Sequence, residues 1–289
     1  MLNYVCILAT VFMSAAVSIA SSLFSEKNKN VKNTSFFYVA AVALSAFLSW
    51  GIIYAFDFSF DAGVIIYSIA YALFYVCAVL GLFTAIETGA VSLTAFIKQL
   101  SLITIAVWGF IFWDTPLAIN TVIGFLLMVV ALYLCFKPQK NGEKAVTFKW
   151  LVGACMLILG NGGTTILQKY EQMRFDGQHK SMLMFFAMGF SAVICLCIHL
   201  FKRGCRISEI KKVTLFFPAI GGMSSALFNL SILILHSTAI PENVVFPTAA
   251  VGGMLVTLLF SVIFRHEKLK LHQWTGLAVG AVSLVFLNI

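Results

Sequence analysis

Lys98 lies in an apolar stretch that runs from about Ala90 to Trp113 with no other charge. A segment of this length crosses a bilayer as one helix. A lysine at its centre costs roughly 3 kcal/mol on insertion scales, so it is tolerable where it faces a water-filled cavity or an anionic partner. Residues three and four apart share a helix face. That spacing predicts one face carrying Glu87, Val91, Thr94, Lys98 and Ser101. Glu87 would stand at the helix start, about 16 Å from Lys98 along the axis at ~1.5 Å per residue. The two would then mark two depths of one polar track. A second apolar stretch gives Asn161, Thr164, Thr165 and Gln168 on one face, among Gly160, Gly162 and Gly163. A third gives Ser225 and Asn229, four apart, after Gly221 and Gly222. Amides and hydroxyls supply donors and acceptors without the cost of charge, and glycines let helices approach closely. The chemistry these types can do is binding of a small polar molecule. Substrate contact is expected at Lys98, Thr94, Ser101, Asn161, Thr164, Gln168 and Asn229. Glu87 and Glu242 could carry protons if desolvated.

Catalysis and metal binding have little support in the sequence. The five histidines show no HExxH or clustered ligand spacing, and the seven cysteines form no CxxC pair. No metal or cofactor is expected. No P-loop is present, so ATP does not drive the protein directly. A multi-span enzyme acting on a lipid would need paired acids or a His/Asp pair at one membrane face. Asp57 and Asp61 lie near span ends without such a partner. A non-transporting membrane partner protein is the other alternative, although it would not require Lys98 or two amide-bearing faces.

The elements that must position these residues are membrane helices. The chain has 289 residues, 61% hydrophobic and only 10% charged, with mean hydropathy +0.99. A soluble domain carries about 25% charge. The sequence therefore predicts an all-α integral membrane protein in contact with the lipid bilayer. The formal charge of +8 falls in short loops, where it orients helices, and does not imply nucleic acid. Apolar windows fall near 3–24, 35–55, 63–84, 89–112, 117–136, 149–169, 180–201, 213–235, 243–264 and 271–288, ten transmembrane helices in all. The first window is read as a retained helix and not a cleaved signal, because Lys27, Lys29 and Lys32 follow it and no cation precedes it. Trp50 and Trp113, toward span ends, suit interfacial belts.

The two halves resemble each other. SIASSLFSEK (18–27) parallels GNGGTTILQK (160–169), and DTPLAINTVIGFLLMVVALYL (114–134) parallels HEKLKLHQWTGLAVGAVSLVF (266–286). The expected units are 1–136 and 149–289, five helices each, joined by the loop 137–148. An odd number of spans inverts the second unit relative to the first, and transporters built so place their site where the repeats meet. The segments TAIETGAVSLTAF (84–96) and STAIPENVVFPTAAVGGMLVTLLFSVIFRHEKLKLHQWTG (237–276) resemble the EamA-like branch of the drug/metabolite transporter superfamily. The resemblance covers nearly the whole chain and implies ten helices in two inverted repeats and transport of a small metabolite. In the first repeat the usual glutamate of the turn is replaced by Asp114-Thr115-Pro116, whereas the second keeps Glu267. Gly276 and Gly280 form a GxxxG pair, suited to close helix packing within one chain or in a homodimer.

Loop charge sets the orientation. Loops after odd-numbered helices hold Lys27, Lys29, Lys32, Lys137, Lys140, Lys144, Lys149, Lys202, Arg203, Arg206, Lys211, Lys212, Arg265, Lys268 and Lys270; loops after even ones hold only Lys169, Arg174 and Lys180. Positive loops stay in the cytoplasm, so both termini are expected outside the cell membrane, although relatives in the resembling family are commonly drawn with both inside. Alkaline phosphatase fused to the C-terminus should therefore be active. An inactive phosphatase, with an active cytoplasmic reporter at the same position, would reverse this orientation.

Overall fold

The computed structural model describes residues 2–89, 91–113, 119–136, 147–202, 205–236, 242–266 and 269–287. All regular structure among them is helical. The helices are α1 (Leu2–Lys27), α2 (Thr34–Phe56), α3 (Gly63–Thr88), α4 (Val91–Gln99), α5 (Ser101–Phe112), α6 (Ile119–Phe136), α7 (Phe148–Phe175), α8 (Lys180–Phe201), α9 (Phe216–His236), α10 (Glu242–Phe264) and α11 (Leu271–Leu287), with two short 3-10 turns before α9. Six described stretches are long and apolar enough to cross a bilayer: Val5–Lys27, Thr34–Phe56, Gly63–Thr88, Phe148–Phe175, Lys180–Phe201 and Lys212–Ile232. Large apolar side chains such as Leu48, Ile52, Ile66, Val193 and Leu259 face outward along these helices. In water such a surface would be an aggregation liability; in lipid it is the expected exterior. The protein is a multi-pass membrane protein.

Two sequence expectations change here. Glu87 belongs to the last turn of α3, not to the start of the next helix. Gly89 takes an extended conformation and closes α3, and a new helix starts at Val91. Gly89 is pressed under the Trp150 indole, where no Cβ would fit, so the chain must turn at that point. The span at 89–112 is also not one uninterrupted helix. At Leu100 the backbone N–H reaches Ile97 O at 3.0 Å, a tight i−3 bond, and α4 gives way to α5.

Contacts at the helix ends fix the direction of each rod. At one end, Arg265 after α10 meets Glu26 of α1 at 3.6 Å and also Ser22. There too, Asn28 after α1 binds Thr214 and Lys211 before α9. Asn33 before α2 donates to Lys202 O after α8, and Lys149 at the start of α7 faces Glu87 at the end of α3 at 3.9 Å. At the opposite end, Ser181 of α8 donates to Asp57 O after α2 at 2.9 Å, and Tyr67 of α3 meets Phe175 of α7 edge to face. The described cations of the odd loops thus gather at one end. Lys169, Arg174 and Lys180 stand at the other.

The most extensive helix pairings join the first half of the chain to the second: α3 with α7, α6 with α11, α1 with α9, and α2 with α8 and α9. Treating α4 and α5 as one rod, the pairings survive exchange of the halves. The α3–α7 pair becomes α9–α1, α2–α9 becomes α8–α3, and α1–α10 becomes α7–α5. The α2–α8, α6–α11 and α4–α10 pairs map onto themselves. Glycines allow the closest of these approaches. A Cβ at Gly160 would lie 2.5 Å from Ala78 N, and one at Gly81 2.6 Å from Gly153 O, so α3 and α7 touch backbone to backbone. Gly222 of α9 meets Val42 O of α2 in the same way. Gly280 lies under the Phe96 ring of α4, which is a contact inside one chain.

Trp50, expected at an interface, is instead buried between α2 and its neighbours, with Ala46, Met184 and Met188 in the same cluster. The free cysteines Cys6, Cys195 and Cys205 are buried as small apolar side chains.

Because α7 and α3 meet through backbone, Gly160→Val should destabilise the protein by about 1–3 kcal/mol and lower its melting temperature in detergent. Gly51→Ala should be tolerated, because its Cβ would meet only the Phe185 ring at an ordinary 3.4 Å. Equal melting of the two variants would show that the α3–α7 approach is not needed.

Candidate functional site

Between the two halves lies a cavity of ≈ 190 Å³, far more than the ~10–15 Å³ one water needs. Its walls come from α1, α2, α3, α4, α5, α7 and α9. Of the residues expected at a site, Lys98, Ser101, Asn161, Thr164, Gln168 and Asn229 all line it. Thr94 is fully buried and is not on the wall. The helical face through Lys98 turns away at that level, toward neighbouring helices.

Lys98 sits where α4 ends. Its ammonium donates to Ser14 O at 3.4 Å and Ser14 Oγ at 3.3 Å, and lies 5.9 Å from the centre of the Phe228 ring. Both hydrogen bonds are long, and the ring contact is a weak cation–π one. Its polar partner comes from α1, in the same half. Phe228, from α9, is what the other half presents to it. The carbonyl of Lys98 is bonded too: Ser101 Oγ donates to it at 2.8 Å. The serine after the helix break therefore satisfies a carbonyl beside the break. Irregular backbone at membrane depth is tolerated where it lines a cavity.

The α7 wall is built on repeated back-bonding. Thr164 and Thr165 hydroxyls both donate to Asn161 O, at 2.8 and 3.1 Å. The Asn161 side chain makes no hydrogen bond among the described residues and is left for an occupant. Gln168 Nε2 reaches only the Met184 sulfur at 3.4 Å, a weak acceptor. On α9, Asn229 donates to Ser225 O at 2.8 Å, so its amide oxygen remains for a ligand. Ser21 of α1 bonds its own helix carbonyls at Val17 and Ser18, the back-bonding common for serine inside a helix.

Three lining residues have no signal in the sequence: Tyr38, Tyr71 and Tyr75. Each is buried, and the rings of Tyr71 and Tyr75 lie nearly parallel, at 18° and 6.4 Å. Among the described residues the hydroxyls of Tyr38 and Tyr75 have no partner at hydrogen-bond distance; Ser21 and Ser225 are the side-chain hydroxyls that act on them. A tyrosine in an apolar run reads as filler, and only the packing of α2 and α3 against α7 and α9 turns these rings to one space.

Of the two expected proton carriers, the structure corrects Glu87. Glu87 is 41% exposed and Lys149 67%, so their pair is a solvated surface contact and Glu87 is not desolvated near Lys98. A carboxylate at a helix C-terminus is opposed by the helix dipole, and Lys149 offsets this. The Glu242 side chain lies outside the described residues, as do the loop 137–146, Asp114-Thr115-Pro116 and Glu267. The buried carboxylate is elsewhere. Glu171, one turn beyond Gln168 on α7, is 1% exposed and neither oxygen has a hydrogen bond. Among the described residues no group of three potential metal ligands occurs.

No protein-family model matches the chain, and no curated protein matches it. Twenty-eight chains of solved structures do match. One, described only as the crystal structure of a protein, is 13% identical, with a TM-score of 0.62, over 96% of this chain and 95% of its own. Likeness at that identity concerns the fold alone. It places the whole chain, end to end, in an arrangement already seen in a crystal.

A buried carboxyl whose oxygens have no hydrogen bond among the described residues is costly, so Glu171→Gln should keep or raise the melting temperature. A fall of several degrees would mean that the carboxylate holds a stabilising contact.

Proposed function

We propose that the protein is a secondary transporter, moving a small polar or amphipathic metabolite across the cell membrane by alternating access at the junction of two inverted five-helix repeats. The observation that carries this reading is the cavity itself. It is polar, lies between the halves, and is lined by Lys98 of the first half and by Asn161, Gln168 and Asn229 of the second. Transporters of inverted-repeat design bind at such a junction.

The repeat architecture is supported by the exchange pattern of the helix pairings and by direction. α1 ends at the basic end and α7 starts there, α2 starts there and α8 ends there, and α3 ends there and α9 starts there. Counterparts five rods apart run oppositely, as an axis in the membrane plane requires. The ten helical rods then correspond to ten crossings, in the manner of the EamA-like drug/metabolite transporters that the sequence resembles. The clustering of loop cations at one end supports a cytoplasmic position for that end, with both termini outside. Rocking of one half on the other would open the cavity first at the basic end and then at the opposite one. Among the described lining residues no acid is paired with a base, and movement of an unchanged solute needs none.

The test is uptake of a mixed metabolite library into liposomes holding the purified protein, read by mass spectrometry. A compound that accumulates unchanged, and does so much less with Lys98→Met, is the expected result. A compound recovered chemically altered would point to an enzyme. No accumulation of any compound, with folded protein in the membrane, would refute transport.

A further inference from the structure

The walls of the cavity also bear on which solutes it accepts, an inference that rests on the transporter reading. We infer that the cavity selects a monoanionic carboxylate with a flat, apolar body, the carboxylate seated on Lys98 and the body against the tyrosine rings. Four observations lead there. Among the described lining residues Lys98 is the single cation, and no aspartate or glutamate is among them. Its ammonium has only the two long bonds to Ser14 and the Phe228 ring, so its third proton and much of its charge are unmatched. The hydroxyls of Tyr38 and Tyr75, both more than nine-tenths buried, have no acceptor at hydrogen-bond distance among the described residues, and a carboxylate oxygen is an acceptor. Beside the amides and hydroxyls already named, the wall carries ring and aliphatic surface for an apolar body: Tyr71, Phe228, Val79, Leu82, Leu157.

The number of positive charges decides between anions. A phosphate monoester carries between one and two negative charges at neutral pH and is favoured by bidentate arginine or several cations. Here one ammonium meets it, which leaves a dianion partly uncompensated in a low-dielectric space. A carboxylate is matched charge for charge. An organic cation would face Lys98 with no acid to hold it. A zwitterionic amino acid would satisfy Lys98 and leave its own ammonium to the Asn161 and Asn229 amide oxygens and the aromatic faces, a weaker arrangement than an apolar tail against the same rings.

The experiment is a thermal-shift series on the purified, detergent-solubilised protein. The probes are phenylacetate, its uncharged amide phenylacetamide, phenylalanine, phenyl phosphate and acetate. Stabilisation by a ligand follows its concentration over Kd, so the series ranks affinities. Phenylacetate should bind at least ten-fold more tightly than phenylacetamide and more tightly than the other three. In Lys98→Met, which keeps the length of the side chain, the preference for acid over amide should disappear. Tyr75→Phe should weaken phenylacetate several-fold and leave phenylacetamide nearly unchanged. Equal binding of acid and amide, an unchanged preference in Lys98→Met, tighter binding of phenyl phosphate, or no shift with any probe would each overturn the inference. Because binding and liposome uptake are read separately, phenylacetate that binds as expected but is not transported would leave the anion site standing and remove the transporter reading. Transport of other solutes with no charge preference would do the reverse.

Discussion

A primary amine has been placed inside a bundle whose exterior is lipid, and the surrounding structure has to make that placement tolerable. Lys98 cannot reach water along its own helix without passing apolar turns. The fold supplies a space at its tip, a serine carbonyl and hydroxyl from α1, and an aromatic ring from α9. Each comes from a different rod, so the position of the lysine depends on three helices meeting. The break at Leu100 belongs to the same arrangement. It ends α4 at the lysine and hands the freed carbonyl to Ser101. Removing any one of these supports would leave either a bare ammonium or a bare carbonyl in a medium that offers neither a partner.

The cavity exists because its flanks are tight. Along α3 and α7, Gly81, Gly153 and Gly160 bring two backbones into contact, and Gly222 does so between α2 and α9. Without a hydrophobic force between helices in lipid, such close van der Waals packing is what holds the rods together. Both of these glycine-lined pairings join the first half of the chain to the second. The open volume remains at the centre, where large side chains, Tyr38, Tyr71, Tyr75 and Phe228, hold the rods apart.

Much of this was readable from the chain. Helices formed on all ten apolar windows because hydropathy acts over about twenty residues, and local errors average out. The face through Asn161, Thr164 and Gln168 was legible because polar residues at helical spacing in an apolar run are rare. What failed was of two kinds. Glu87 was assigned to the wrong helix because Gly89 reads equally as an interior glycine or as a turn, and only the Trp150 indole over it decides. Thr94, on the lysine's face by spacing, is off the cavity because a wall has curvature that a helical wheel lacks. The tyrosines, Trp50 and Glu171 were missed for another reason. Whether an aromatic ring faces lipid, core or cavity depends on which helix packs against it. That pairing joins residues more than a hundred positions apart and leaves no periodic trace. Glu171 reads as one of several loop charges beside Lys169 and Arg174, yet those two face outward while it is enclosed.

Two ionisable side chains inside the bundle are held differently. Lys98 is on the cavity wall; Glu171 is one turn past Gln168 on α7, about 4.5 Å further along the axis at ~1.5 Å per residue, and is enclosed by packing without lining the cavity. Its oxygens have no hydrogen bond among the described residues, and Lys180 is the cation that acts on it. Lys98 keeps two hydrogen bonds to α1 and an open space at its tip. The two sites therefore differ in access: the ammonium is placed to meet whatever enters the cavity, whereas the carboxyl is walled off from it by its own helix and its neighbours, so polarity inside the bundle makes a binding surface only where the packing leaves room beside it.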